Sequence, residues 1–122
     1  KRQLDQRKKL FVPAVGPGYV DTRVRPWNAH NVRERRHGQY YDRMWEMAVD
    51  VMPHAISITS YNEWGEGTQI EPAVPYTSPN GLKYEDYLPE APDFYLRRTK
   101  EWSASYGEKS CGLGEAKQRS DL

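Results

Sequence analysis

The chain has a single cysteine, Cys111, among its 122 residues. One cysteine cannot form an intramolecular disulfide or supply the thiolates of a cysteine-rich zinc site. It also does not indicate whether the protein resides in an oxidising or a reducing compartment. Long apolar runs are also missing, and no stretch reaches the roughly 20 residues that a membrane-spanning helix needs. No signal-peptide core is found, since the chain begins KRQLDQRKKL, which resembles the charged end of a helix. The sequence therefore predicts neither a disulfide framework nor a membrane segment in this chain.

A charge excess is absent too, because 18 Lys and Arg face 17 Asp and Glu, for a net charge of +1. No long-range field therefore selects nucleic acid or an anionic membrane as a partner. The glycine-rich stretch Gly16–Gly18 matches no dinucleotide or phosphate-loop pattern, and no GxSxG nucleophile elbow occurs. The histidines are not paired at metal-ligand spacing: His30, His37 and His54. We expect no cofactor and no metal, although Glu63, Glu66 and Glu71 keep an oxygen-ligand site open as the weaker alternative.

Aromatic residues with a polar edge are abundant. Four Trp and nine Tyr stand against two Phe. Such rings can stack on a sugar face and still offer a hydrogen-bonding tip, so the balance is compatible with a polyhydroxylated ligand. Ordinary half-buried packing is the alternative for any one of these rings.

The most informative stretch is AISITSYNEWGEGTQIE, residues 55–71. It begins with a β-branched apolar run that predicts a strand over 55–60. Two carboxylates, two aromatic residues and two glycines follow at once. Enzymes with parallel sheets place their catalytic groups on loops that leave the carboxyl ends of strands. The stretch therefore predicts a strand that leads directly into a functional loop.

The remaining chain repeats a strand–loop–helix order. A first strand is predicted at 10–15, followed by a long polar loop and a helix over 39–52, whose apolar face is Tyr41, Met44, Trp45, Ala48, Val51 and Met52. After the second strand, a loop over 72–92 leads to a helix over 93–106, with Tyr95, Thr99, Trp102 and Tyr106 on one face. Residues 107–122 are expected to form a disordered tail.

This order predicts an α/β fold with about two βα units and long βα loops. Two strands cannot close a sheet, and a (β/α)₈ barrel needs about 250 residues. We therefore expect residues 1–106 to be the carboxyl-terminal fragment of a TIM barrel.

Glu63 and Glu66 are the candidate catalytic pair. Three residues of extended chain span at most about 10 Å, and a folded loop can bring the two carboxyls to the roughly 5–9 Å that glycosidases use. Asn62 and Tyr61 stand beside them as candidate substrate-binding residues. Asp21 and Arg25 follow the first strand and would face the same pocket, although an internal ion pair between them is an equal alternative. The alternative without a catalytic role is that both glutamates are solvated side chains of an acidic surface loop.

Three segments carry a resemblance to a known family. They are GPGYVDTRVRPWNAHN (16–31), SITSYNEWGEGTQIE (57–71) and YEDYLPEAPDFYL (84–96). Together they resemble glycoside hydrolase family 99, over about residues 10–106. The resemblance implies a (β/α)₈ barrel and a retaining endo-α-1,2-mannosidase activity that removes glucosylated mannose from high-mannose N-glycans. It also implies, by likeness to the animal enzymes, a membrane-anchored parent protein in the Golgi lumen.

The resemblance further implies a substrate-assisted mechanism. The residue matching Glu63 deprotonates the 2-hydroxyl of the sugar, which gives a 1,2-anhydro sugar, and the residue matching Glu66 acts as general acid and then as base. Asn62 and Arg25 match positions expected in the substrate subsites. Because the earlier barrel strands are missing, we expect the 122-residue chain alone to be inactive.

Two other interpretations remain open at this point. Bacterial polysaccharide-biosynthesis proteins of the WbsX type carry a similar NEWxEGT run, which would indicate a role associated with glycosyltransferases. The GPGYVDT and RPWN segments favour the mannosidase family instead. A non-catalytic glycan-binding remnant is the third interpretation, against which the presence of both Glu63 and Glu66 argues.

Overall fold

The computed structural model describes residues 9–120, with side chains described for residues 9–110. The helix-compatible start predicted from the first residues lies outside this range except for Lys9. Strand β1 spans Ala14–Val15, and two 3₁₀ turns at Pro26–Asn31 and Arg36–Gly38 follow in the first long loop. Helix α1 spans Gln39–Asp50, strand β2 spans Ser57–Ile58 and helix α2 spans Phe94–Ser120. In the elements of this described part the predicted βα order is confirmed.

The two strands pair in parallel, with Ala14 opposite Ser57 and Val15 opposite Ile58. The N–H of Ser57 donates to the carbonyl of Pro13 at 3.0 Å, and the N–H of Thr59 donates to that of Val15 at 2.8 Å. Both strands are shorter than predicted. Parallel pairing places the carboxyl ends of β1 and β2 at one edge, so the two long loops leave from the same side.

Helix α1 packs its apolar face against β1 and α2. Its buried residues are Tyr41, Trp45, Ala48 and Val49. The predicted face was wrong at its carboxyl end, since Val51 is 48% exposed. The helix ends at Asp50, and Met52 adopts a positive φ of 46°. Val51 and Met52 therefore lie beyond the helix and do not extend its apolar face.

Helix α2 presents the predicted face to α1. Trp102 stacks on Trp45 with ring centroids 6.4 Å apart, and the Thr99 hydroxyl is 2.9 Å from that of Tyr41. The expected end at Tyr106 needs correction, because the helix continues to Ser120 across most of the segment predicted to be a disordered tail. Neither helix of the described chain combines the length and apolar character required to cross a membrane.

Candidate active site

Two loops meet beyond the carboxyl ends of the strands. The N–H of Val20, in the loop after β1, donates to the carbonyl of Glu66, in the loop after β2, at 2.9 Å. Arg23 joins the same loops, because its guanidinium donates to the carbonyls of Val20 and Lys83, both at 2.8 Å. These contacts bring together the two segments that the sequence predicted to share a pocket.

The segment 60–68 is closed on itself by a short network of hydrogen bonds. The N–H of Ser60 donates to the carbonyl of Thr68 at 2.9 Å, and their hydroxyls are 2.7 Å apart. The Ser60 hydroxyl also accepts the N–H of Glu63 at 2.9 Å, and the N–H of Thr68 donates to the carbonyl of Glu63 at 3.2 Å. Glu63 and Glu66 therefore project from a closed loop whose backbone is held at both ends.

Glu66 belongs to a charge cluster with Arg25 and Asp21. One guanidinium nitrogen of Arg25, Nη1, donates to Asp21 Oδ2 at 2.8 Å and to Glu66 Oε1 at 3.1 Å. Asp21 is only 1% exposed, and its Oδ1 accepts the side-chain N–H of Asn28 at 2.9 Å. The hydrogen bond to Asp21, and then that to Glu66, raise the pKa of Arg25, so this side chain stays a cation.

The Asp21 carboxyl is held in its ionised form. Burial by itself raises the pKa of Asp21, but the hydrogen bonds from Arg25, Tyr19 and Asn28 and the charge of Arg25 outweigh it, and the net pKa is lowered. The hydrogen bond to Asp21 in turn raises the pKa of the Tyr19 hydroxyl. Asp21 is thus a fixed anion beneath Arg25.

Asp21 should make stability depend on pH at the acid end. Because its folded pKa lies below the unfolded value of 3.8, its stabilising effect is fully present above that value. The effect is lost as pH falls through the lower folded pKa. We expect denaturant unfolding between about pH 2 and pH 6 to show an acid loss of stability that is smaller in Asp21→Asn.

Asp50→Asn is the matched control, because the Asp50 side chain is 74% exposed and lies 3.7 Å from Lys109. It should keep the acid loss of the wild type. An Asp21→Asn profile that parallels the wild type through the acid range would contradict the assignment.

Three predicted residues remain exposed on the loop. Tyr61, Asn62 and Glu63 are all exposed, and Tyr61 is 57% so. Among residues 9–110 no hydrogen bond to the Glu63 carboxylate or the Asn62 amide is found. Glu63 Oε1 lies 3.2 Å from the position that a Cβ on Gly65 would occupy, and Val24 Cγ2 lies 3.1 Å from it. The Glu63 carboxylate therefore folds over Gly65, toward the residue that precedes Arg25.

Several residues that support the site were not singled out by the sequence. Asn28 and Tyr19 contact Asp21, and Trp64 donates its indole N–H to Glu71 while its ring meets Tyr84 edge-on at 6.3 Å. Arg35, a buried cation, contacts the backbone that follows Glu66. Arg35 leaves no local signal, because its partner lies 32 residues along the chain. The hydrogen-bond partners of Asn28, Tyr19 and Trp64 are near in sequence, but these residues lie in loops whose conformation the sequence pattern does not predict.

The arrangement supplies general acid–base groups. The exposed carboxylate of Glu63 and the arginine-paired carboxylate of Glu66 lie on one loop. Two such carboxyl groups can transfer two protons in one reaction. In the region covered by the structure, no three His, Cys, Asp or Glu side chains are grouped so that they could hold a metal ion.

Comparisons with known proteins give one consistent family. The profile of glycosyl hydrolase family 99 matches residues 1–108. A glycoprotein endo-alpha-1,2-mannosidase-like protein from Homo sapiens is 49% identical over 106 residues, covering 87% of this chain and 23% of that protein. Glycoprotein endo-alpha-1,2-mannosidase from Xenopus laevis is 55% identical over 97 residues, covering 80% and 21%.

A solved structure gives the same answer for the fold. The GH99 endo-alpha-mannosidase from Bacteroides thetaiotaomicron, in complex with bis-tris-propane, superposes with a TM-score of 0.84 at 47% identity. The match covers 91% of this chain and 34% of that one. The chain thus spans less than a quarter of the two curated relatives named above.

Proposed function

The chain belongs to glycosyl hydrolase family 99, and on that premise we propose that it carries the acid–base loop of an endo-α-1,2-mannosidase. The observation that carries the proposal is the closed loop after β2, which presents Glu63 and Glu66 beside Arg25 of the loop after β1. Relatives that share about half of their matched residues with this chain are named for this activity.

We propose that β1 and β2 are neighbouring strands of a (β/α)₈ barrel. Parallel sheets are normally buried on both faces, whereas Ala14 and Ser57 are exposed here. A solved relative about three times the length of the match supplies enough chain for the remaining strands. In a closed barrel the loops after β1 and β2 would stand at its carboxyl-terminal face, where active sites of this fold lie.

The proposed reaction moves protons between two carboxyl groups and the substrate. Glu63 takes the proton of the 2-hydroxyl, whose oxygen attacks C1 while the bond from C1 to the leaving oxygen breaks. Glu66 donates its proton to that oxygen. Glu66 then takes a proton from water, which opens the 1,2-anhydro ring at C1, and Glu63 returns a proton to O2. Two inversions at C1 give net retention.

The charge cluster places Arg25 between two carboxylates. Arg25 contacts the buried Asp21 at 2.8 Å and Glu66 at 3.1 Å, so Asp21 holds the guanidinium beside Glu66. We propose that Arg25 orients Glu66 and that Asp21, which is itself inaccessible, contributes to substrate binding through Arg25.

We propose that Tyr61 and Asn62 bind sugar hydroxyls. Both are exposed and directly precede Glu63, and the backbone carbonyl of Tyr61 is fixed by the N–H groups of Ile70 and Glu71 at 2.9 Å. The proposed substrate is a glucosylated high-mannose N-glycan, and the proposed location of the parent protein is the Golgi lumen. Both follow from the likeness to animal relatives. Comparing hydrolysis of glucosylated and unglucosylated glycans tests the first, and imaging an epitope-tagged protein against a Golgi marker tests the second.

A graft tests the function with this chain's own residues. Residues 9–110 replace the matching segment of the Bacteroides thetaiotaomicron enzyme, which shares 47% of them and has the same local fold. We expect the graft to hydrolyse an α-mannoside substrate of the host enzyme at a rate within about tenfold of it, since the catalytic geometry is retained. A graft that folds with the host's melting temperature but releases no sugar would favour a non-catalytic remnant.

A further inference from the structure

We propose that Arg35 is the positioning residue of the catalytic loop, fixing the backbone of Glu63 and Tyr61 through two peptide groups. The proposal rests on the proposed function for its catalytic meaning and on contacts alone for its structural part. Arg35 is 9% exposed and lies at the end of the first long loop, outside the cluster of Asp21, Arg25 and Glu66.

The guanidinium of Arg35 binds main-chain carbonyls that follow Glu66. Its Nη2 donates to the carbonyl of Gly67 at 3.0 Å and to that of Gln69 at 2.8 Å. Tyr87 completes the contact, because its hydroxyl is 2.7 Å from the carbonyl of Glu71 and 3.0 Å from that of Gln69. We call Arg35 and Tyr87 the carbonyl clamp.

Each carbonyl bound by Arg35 belongs to a peptide group whose N–H reaches back across the loop. The group between Gly67 and Thr68 donates its N–H to the carbonyl of Glu63 at 3.2 Å. The group between Gln69 and Ile70 donates its N–H to the carbonyl of Tyr61 at 2.9 Å. A carbonyl that accepts a hydrogen bond polarises its own amide, so the two bonds of each group strengthen one another. Arg35 is therefore connected to both ends of the segment that carries Glu63.

The surroundings of Arg35 hold its guanidinium in place. It lies 5.0 Å from the ring centroid of Tyr87 and 4.7 Å from that of Tyr95, and these two rings meet edge-on at 4.7 Å. No salt bridge to Arg35 is found in the described part of the chain. Aromatic faces and main-chain carbonyls therefore take the place of a counter-ion.

A ligand-binding role for Arg35 fits these contacts less well. Arg35 borders a cleft of about 860 Å³ between the two loops. Its Nε and Nη1 are buried and have no hydrogen-bond partner among the described residues, so a molecule in the cleft could not reach them unless the surrounding side chains moved. Burying a cation with two unbonded nitrogens costs free energy. The hydrogen bonds of Arg35 to the main-chain carbonyls are the contacts that offset this cost.

The first test measures the loop backbone in the full 122-residue chain. Arg35→Met removes the donors at similar length, and Arg35→Lys keeps the charge but not the planar fork. We expect amide hydrogen exchange at Thr68 and Ile70 to accelerate about tenfold in both variants, while amides of helix α1 keep their protection. Arg33→Met is the matched control, because the Arg33 side chain is exposed and, among the described residues, its guanidinium donates only to the adjacent carbonyl of Val32.

The second test measures catalysis in the graft. Arg35→Met and Arg35→Lys should lower kcat about ten- to hundredfold, because the carboxyls are displaced. KM should rise by a smaller factor, because Tyr61 and Asn62 lie on the displaced loop whereas Arg25 does not. Arg33→Met should keep both constants. Unaltered exchange at Thr68 and Ile70 in folded Arg35→Met overturns the proposal, and so does an unchanged kcat in an active graft. Were the graft inactive even with Arg35 intact, the proposed function would fail while the exchange result still decides the structural part.

Discussion

Replacing either glutamate of the loop by glutamine should abolish most of the activity of the graft. We expect Glu66→Gln and Glu63→Gln each to lower kcat about 10²- to 10⁴-fold, because glutamine keeps the shape of the side chain but cannot carry the proton. Each rate is measured with the substrate that the unmodified graft hydrolyses. Glu46→Gln, on the exposed face of α1, is the matched control and should leave the rate unchanged.

The two roles can be separated by the leaving group. A substrate with an acidic phenol as leaving group needs little proton donation, so its first step should be nearly restored in Glu66→Gln. No such rescue is expected in Glu63→Gln, because the 2-hydroxyl must still lose its proton. Equal rescue of both variants would contradict the separate roles of Glu63 and Glu66. Activity of either variant near that of the unmodified graft would show that the replaced residue takes no part in the mechanism.

The sequence predicted the order of the elements better than their ends. Its alternating patterns gave two strands in parallel and two helices, each with its main buried face. The strands were predicted too long because, outside Ala14–Val15 and Ser57–Ile58, hydrogen bonds to side chains and within loops replace those between β1 and β2. The N–H of Phe11 donates to the ring of His54 at 2.8 Å, and the N–H of Ser60 donates within its own loop, to the carbonyl of Thr68 at 2.9 Å. Such substitutions depend on tertiary contacts and leave no periodic signal.

The end of α2 shows the converse error. The near absence of large apolar side chains over residues 107–122 predicted that the helix stops at Tyr106. Gly107 does not end the helix either, because a single glycine costs a helix only about 1 kcal/mol. The helix continues through it, and the Ser110 hydroxyl donates to the carbonyl of Tyr106 at 2.8 Å.

The sequence named the three residues of the charge cluster but not the residues that support it. Asp21, Arg25 and Glu66 were all named as site residues, and they form one cluster in which Arg25 contacts both carboxylates. The alternative of an internal ion pair between Arg25 and Asp21 is therefore confirmed, and their role in substrate binding stays a prediction. Arg35 was missed, because its hydrogen bonds go to main-chain carbonyls that lie 32 and 34 residues away. Every residue has a main-chain carbonyl, so the residue types of its partners give no sign that Arg35 binds them.

Gly67→Ala should damage both the fold and the activity, because this glycine closes the junction between the two loops. Gly67 has a φ of +62°, which costs other residues about 1–2 kcal/mol. A Cβ there would lie 2.7 Å from Val20 Cγ1 and 3.2 Å from the carbonyl oxygen of Val20. We expect a loss of about 3 kcal/mol in the free energy of unfolding, since overpacking adds to the backbone cost. Because Glu66 precedes it directly, kcat of the graft should fall about 10²-fold or more.

Gly81 offers a control that separates the two causes. Its φ of +83° is similarly left-handed, but nothing lies within 4 Å of the position of its Cβ. Gly81→Ala should therefore show only the backbone cost of about 1–2 kcal/mol, with kcat unchanged. Adding Val20→Ala to Gly67→Ala removes the closest clash and should recover part of the packing loss. The 3.2 Å contact with the carbonyl oxygen of Val20 and the backbone cost both remain. Chemical unfolding of the four chains measures each contribution. Equal losses for Gly67→Ala and Gly81→Ala would show that the loops do not press against each other at Gly67, and the close approach that brings Glu66 to Arg25 would then need another cause.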